Sequence, residues 1–345
     1  MKKIAIVIWF IVVLVGCKSY SVLNYDVLKP AKNTIPPEVK SIVLVDNSYP
    51  FVDSSIHFLE VDGEIEILDS IWVEAFADSV LLSLKESLLS QNFFDTVFID
   101  TTNYNELLLG KPLKKLTAFE VNTICAEFGA DAVLALDGYK YGSKLEIVDY
   151  GDSQGASLDV NATCYWRFYD YYSQTILFED LQQDTIYWYE EGSSAVHAAS
   201  KLPSIKNAIS EIGFYIGDAY VNHLVPTWET REQRLFIAGN SYFVNAAEWY
   251  GKSNYKEAEK LWAYVFEHGK NFEKARAAHN IAISFEQQNE IASALKWAFN
   301  SYNIYREIKS PIYAEEVAES KDYYIYLAHR KSEVEKLDQQ IGGGL

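Results

Sequence analysis

Residues 151–155 read Gly-Asp-Ser-Gln-Gly. The Gly-x-Ser-x-Gly spacing can lift a nucleophilic hydroxyl onto a strained turn, but only with a strand before it and a helix after it. Here the next predicted element is a strand from Leu158, and Gly, Asp and Ser are also what a hairpin loop needs. Ser153 is therefore expected to be a turn residue. The histidines His57, His197, His223, His268, His279 and His329 show no His-Glu-x-x-His spacing, and no Cys-x-x-Cys occurs. His223, near a predicted helix end, and His268, before Gly269, are placed as partners of helix C-termini. The acidic groups Asp95/Asp100 and Glu315/Glu316/Glu319 read as solvated faces. No catalytic, metal-binding or cofactor-binding residue is assigned. The expectation is a protein that is not an enzyme, with an enzyme of unknown class as an alternative.

One thiol has a role of its own. Met1-Lys2-Lys3 precedes an apolar run of 12 residues, Ile4 to Val15. A helix crossing a bilayer core needs about 20, whereas about 7–15 suits the core of a secretory signal. The run closes on Leu14-Val15-Gly16-Cys17, which resembles a bacterial lipobox. The resemblance implies a signal peptide over 1–16, cleavage before Cys17, diacylglycerol on its sulfur and a palmitoylated terminus. Gly16 is small enough to let the scissile bond enter the peptidase. An uncleaved anchor with an incidental cysteine is the alternative. Each buried CH₂ of such an anchor contributes about 0.8 kcal/mol. Lys18-Ser19 after the cysteine favours the outer membrane. No acidic residue occurs before Asp26, which favours the periplasmic face over the cell surface.

The chain has 345 residues, 49% hydrophobic and 15% aromatic, enough for two ordinary domains. Its formal net charge is −18, which repels phosphate backbones and excludes nucleic acid as an expected partner. Cys125 falls on a predicted helix and Cys164 on the inward side of a strand. Both are expected buried and unpaired, though the compartment permits a disulfide.

The elements that would position these residues fall into segments of different period. Residues 17–38 read as a lipidated linker punctuated by Pro30, Pro36 and Pro37. Residues 39–192 read as an α/β domain. Strands are expected at 39–46, 95–100 and 131–141, helices at 70–91 and 116–130, the latter stopped by Gly129. In the strand from Leu158, residues Leu158, Val160, Ala162, Cys164, Trp166 and Phe168 alternate with Asp159, Asn161, Thr163, Tyr165, Arg167 and Tyr169. That predicts one buried and one wet face. A further strand at 174–191 is expected to bend near Gln182-Gln183. Residues 193–338 have helical period, with helices at 194–224, 231–254, 255–271, 272–289, 290–308 and 312–337; 339–345 reads as a flexible tail. The fold class is α+β: an α/β sandwich with a mixed sheet and long hairpins, then an all-α domain.

"GADAVLALDGY" (129–139), following a helix and leading into paired long strands, resembles the periplasmic α/β domains of bacterial envelope lipoproteins such as the curli-secretion lipoprotein, and that of the TolB translocation protein. This implies fold only. Two helix pairs resemble tetratricopeptide repeats: Ala246, Trp249, Tyr255, Ala258 and Trp262, then Ala282, Phe285, Ala294 and Ala298, about one repeat length apart. The helices at 194–224 and 312–337 would cap them; a generic helical bundle is the alternative. The whole layout resembles uncharacterised lipoproteins of the Bacteroidetes.

Such repeats present a concave surface lined by the first helix of each pair. Trp249 and Phe285 would hold the stack, leaving Tyr242, Asn245, Arg276, His279 and Asn280 to face an envelope protein partner. An Asn can grip a peptide backbone with one donor and one acceptor. The expected role is a non-catalytic protein–protein adaptor, attached to the membrane by its lipid. The 25 tyrosines, with runs at 169–172 and 187–189, suggest the alternative of a glycan or cell-wall ligand.

Overall fold

A computed structural model describes residues 19–48, 56–68, 71–102, 113–149 and 154–342. Cys17, Ser153 and the signal segment lie outside them. The chain divides into two compact units, Ala31–Thr227 and Met1–Pro30 with Trp228–Leu345.

The first unit is built on a mixed sheet. Strand β2 (Ser41–Asp46) pairs in parallel with β5 (Thr96–Asp100) and with the first half of β6 (Ala132–Asp149). The second half of β6 takes β3 (Ile56–Val61) in parallel, and β3 turns back antiparallel into β4 (Glu64–Leu68). Along its other edge β6 pairs antiparallel with β7 (Gln154–Asp170), and β7 with β8 (Thr175–Gly192). The β7–β8 register runs through Gln182 and Gln183 without a shift; the irregularity falls at Phe168/Tyr169 instead.

Helices cover both faces. The alternating set Leu158 to Phe168 is buried against α1 (Phe76–Gln91) and α4 (Ile205–Leu224). On the other face α2 (Ala118–Phe128) covers Val43, Val45, Val133, Ala135 and Tyr169. Thr117 and Glu120 form a capping box at its start, and Gly129 ends it in the left-handed conformation. Cys125 is on the buried side of α2 and Cys164 in the core on the opposite face, so the two free thiols are separated by the sheet. The face of β7 expected to be wet is partly closed: Thr163, Arg167 and Tyr169 are buried.

Helix α4, preceded by the short α3 (Ala195–Ala199), belongs to the sheet unit. This corrects the expectation that the helical domain begins at residue 193 and that the helix at 194–224 caps its repeats. Its apolar stripe Ala208, Ile209, Ile212, Ile216 and Tyr220 completes the sheet's core. Gly213 and Gly217 let it approach α1 closely. A Cβ on Gly217 would sit 2.2 Å from the Val80 carbonyl oxygen.

The second unit contains α5 (Ser241–Gly251), α6 (Tyr255–His268), α7 (Asn271–Gln287), α8 (Ile291–Glu307) and α9 (Ala314–Gln340). Each packs on the next in sequence. Ala246, Ala258, Trp262, Ala282, Ala294 and Ala298 are buried at their seams. Trp249 is not: it is 40% exposed, with the Lys252 ammonium over its ring. Gln340, expected in the flexible tail, is a buried residue of α9.

Two strands complete this unit. Residues 20–29, expected as linker, form β1 (Tyr20–Lys29), and 231–236, expected as helix, lie in β9 (Thr227–Phe236). They pair as a two-stranded ribbon. The Ser19 carbonyl accepts from Ile237 and Ala238, while Thr230 donates to Asp26, so the strands run in opposite directions. Among the described residues no helix is long and apolar enough to cross a membrane.

Candidate binding surfaces

The ribbon occupies the surface where a partner was expected. Asn280 is fully buried and grips a peptide backbone, but that of its own chain. Its side-chain oxygen accepts the Phe236 N–H at 2.9 Å and its amide donates to the Phe236 carbonyl at 2.7 Å. His279 Nε2 lies 3.0 Å from the Arg234 carbonyl, which can only accept, so the ring carries its proton there. Burial pushes this imidazole down to about 4. Arg276 is paired with Glu316 at 2.5 Å and its guanidinium lies over the Phe236 ring at 4.8 Å. Of the five expected contact residues, Asn245 is exposed, and Tyr242 is partly exposed and packed on Tyr264 at 4.6 Å. The other three hold β9. The glutamates expected to face solvent are engaged too: Glu315 and Glu319 pair with Arg234, and Glu316 also accepts the Tyr305 hydroxyl.

Tyrosines explain much of how the ribbon is seated. Glu286 is buried and accepts hydroxyls from Tyr25 on β1 at 2.8 Å and Tyr323 on α9 at 2.7 Å. Burial beside that carboxylate holds both phenols well above their usual range. The Arg231 guanidinium on β9 lies 3.4 Å from the centre of the Tyr326 ring, and Arg234 lies over Tyr20 at 4.5 Å.

A surface left open is on α6, α7 and α8. A groove of about 380 Å³ has Ala263, Ile281, Phe285 and Trp297 as its floor and Lys256, Glu259 and Lys260 around it, Lys260 being paired with Glu257 at 2.5 Å. Phe285, expected to hold the stack, is only half-buried here because it forms that floor.

The sheet unit holds a polar cluster that sequence reasoning missed. It lies at the carboxyl ends of β2 and β5, where β6 passes. After β2 the chain forms the β3–β4 hairpin beyond β6, then passes through α1 to β5 on one side of β2, and β5–α2–β6 returns on the other face to its opposite side. Ligands of open α/β sheets bind at such reversals. Asp137 sits at a β-bulge between Leu136 and Gly138, a device that re-aims a side chain. It is buried, accepts from Asn47 Nδ2 at 2.7 Å and is ion-paired with the buried Arg167. Burial pushes its carboxyl up to about 6, against the pull of Asn47 and Arg167. Asn47 also donates to the Lys114 carbonyl and Arg167 to that of Leu113, which ties the approach to α2 onto the strand ends. Glu179 joins through Arg167 and Lys115. The cluster's donors point at protein acceptors, so the arrangement is a clamp. An Asp breaking an otherwise apolar strand was the available signal. Asp100, expected in a solvated face, is buried on β5. On the opposite face of the same sheet Asp180 accepts from Lys32 at 2.7 Å and His223 at 2.6 Å, so His223 has a carboxylate partner besides its helix end.

A model of the domain of unknown function DUF8603 matches residues 39–236, more than half of the chain, and the chain belongs to that family. A second domain of unknown function, DUF6340, matches residues 244–329. No curated protein matches. Among solved structures the chain is similar to PelC from Paraburkholderia phytofirmans, a dodecamer, at 10% identity and TM-score 0.24 over 59% of this chain and 98% of that one. It is also similar to a neuraminyllactose-binding hemagglutinin homolog from Helicobacter pylori, at 12% identity and TM-score 0.28 over 56% and 87%. A third is lipoprotein GNA1162 from Neisseria meningitidis, at 12% identity and TM-score 0.19 over 53% and 99%. Likeness at this level carries no functional argument.

Proposed function

We propose that the chain is a lipoprotein of the cell envelope that works by binding. Cys17 tethers it to the outer membrane on the periplasmic side, as the lipobox resemblance and Lys18-Ser19 imply. The helical unit, read as tetratricopeptide-like helix pairs, is the docking module for a partner protein. The observation that carries this is the open groove on α6, α7 and α8, lined by the apolar Ala263, Ile281, Phe285 and Trp297 beside Lys256, Lys260 and Glu259. It suits the apolar stripe of an amphipathic helix. The concave face is closed to such a partner by β9. The test is a photo-crosslinker at Lys256 in envelopes, with and without Phe285→Ala/Trp297→Ala. A partner captured by the parent and lost from the folded double variant supports the groove; the same partner captured by both removes it.

A second reading has its own observation. Tyr187 and Tyr189, two apart on the edge strand β8 and therefore on one face, are 72% and 45% exposed. Exposed aromatics in a row suit a sugar face. Co-sedimentation with purified peptidoglycan, lost in Tyr187→Ala/Tyr189→Ala, would favour a glycan ligand.

A further inference from the structure

We propose that one end of the helical unit rests on the lipid surface, with Ile312 as its point of contact and lysines around it; this rests on the reading of Cys17 as the lipidated residue. The argument starts from chain length. Consecutive Cα atoms are 3.8 Å apart, so the Cys17 Cα lies within about 8 Å of Ser19 by covalent geometry alone. Ser19 is fixed to the helical unit, because its carbonyl accepts the N–H groups of Ile237 and Ala238. A diacylglycerol on Cys17 therefore brings this end of the ribbon to the headgroups without a spacer.

Several elements share that end. Asn240, capping α5, donates to Glu273 in the first turn of α7 at 2.8 Å. Phe236 meets Arg276, whose guanidinium also lies over Phe272, and Phe272 stacks on Tyr313 at 5.7 Å. The helices run alternately up and down, so the starts of α5, α7 and α9 and the ends of α6 and α8 lie together. Between α8 and α9, the short turn Pro311–Tyr313 carries Ile312, which is 85% exposed, the most of any large apolar side chain among the described residues.

Exposed charges of both signs lie nearby. Lys270, Arg306 and Lys309 are exposed at this end, in a chain whose net charge is −18. Its carboxylates are partly spent within the protein: Glu273 accepts the Lys270 N–H and Asn240, Glu315 pairs with Arg234, and Glu316 with Arg276. Glu267, Glu307 and Glu315 remain exposed, so the apolar tip, and not a net positive charge, carries the contact. An aliphatic tip on an aromatic base with lysines beside it is the composition of a membrane-interface contact. It seats the helical unit by one end, with its helices raised off the surface.

The test uses the full-length acylated protein in vesicles of phosphatidylethanolamine and phosphatidylglycerol at about 3:1. A nitroxide is placed at Ile312→Cys and, separately, at Glu290→Cys. Glu290 precedes α8, a helix of 17 residues, and so lies about 25 Å from the Ile312 end. The expected result is an oxygen-to-nickel accessibility ratio several-fold higher at 312 than at 290, which drops to equality when vesicles are omitted. Equal, water-like ratios at both sites on vesicles, with diacylglycerol found on Cys17 by mass spectrometry, would overturn the contact and leave the tether standing. Absence of lipid on Cys17 would overturn both.

Discussion

Asn280 on α7 and Phe236 on β9 are joined by two hydrogen bonds, one from each polar group of the Phe236 backbone, at 2.9 and 2.7 Å. The side chain stands in for the neighbouring strand that β9 lacks on that side. Asn280→Ala would leave a buried N–H and a buried carbonyl without partners. The expected loss is about 2–4 kcal/mol. Hydrogen exchange should speed up at the Phe236 amide more than at α8 amides; unchanged protection there would show that the pair does not hold the ribbon.

His279 makes the helical unit sensitive to mild acid. Burial lowers its folded value to about 4 from 6.5, and the Arg234 carbonyl only partly opposes this. The groups around it are Arg231, Arg234, Glu316 and Tyr323. The unfolded chain takes up the proton first, so the stabilisation is complete above pH 6.5 and is lost as pH falls towards 4. The span corresponds to about 3 kcal/mol. Denaturant melts of parent and His279→Gln should converge in that window, and parallel curves would refute the assignment.

Asp137 and Arg167 should behave as a buried pair. Arg167→Met leaves the carboxylate with Asn47 alone and should cost about 3–5 kcal/mol, whereas Asp137→Leu/Arg167→Met should recover most of it. A double variant as unstable as the single would mean that Arg167 acts mainly through the Leu113 carbonyl.

Gly217 and Gly251 make a matched test of helix packing. Gly217→Ala pushes a methyl into the Val80 carbonyl of α1 and should destabilise by about 1–3 kcal/mol. Gly251→Ala meets nothing within 4 Å and should be neutral or gain up to about 1 kcal/mol. Thermal melts of the two variants separate steric cost from helix propensity.

Period-two and period-3.6 patterns were readable wherever one face meets a core. The β7 alternation and the cap residues Thr117 and Gly129 are examples. The pattern failed where an element's partner is remote. Tyr20–Lys29 carries little sign of being a strand, since its neighbour lies some two hundred residues on, and the prolines after it suggest a linker. Residues 231–236 adjoin a true helix, and the helical period extends into them. Asn280 grips a backbone, but that of β9 in its own chain and not that of a separate partner. Asp62-Gly63, between alternating β3 and β4, is a hairpin signal legible in the sequence. Asp137 was hidden because a charge inside an apolar strand is identified as half of a pair only once Arg167 is brought opposite.

The ribbon also dictates an order of assembly. Its strands are separated by the whole sheet unit, as the Thr230–Asp26 bond across 204 positions shows. Closing so long a loop from a random chain is entropically expensive and slow. Within the sheet unit, however, Lys32 and Asn33 bond to the carbonyls of Asn222 and His223. Once that unit has formed, the two points where the chain enters and leaves it are side by side, and the gap left to close shrinks to a few residues on either side. The sheet unit is then a splint, and the helices receive their covering ribbon only after it has set. In that interval the α7 surface is bare, and chaperone dependence should be concentrated there.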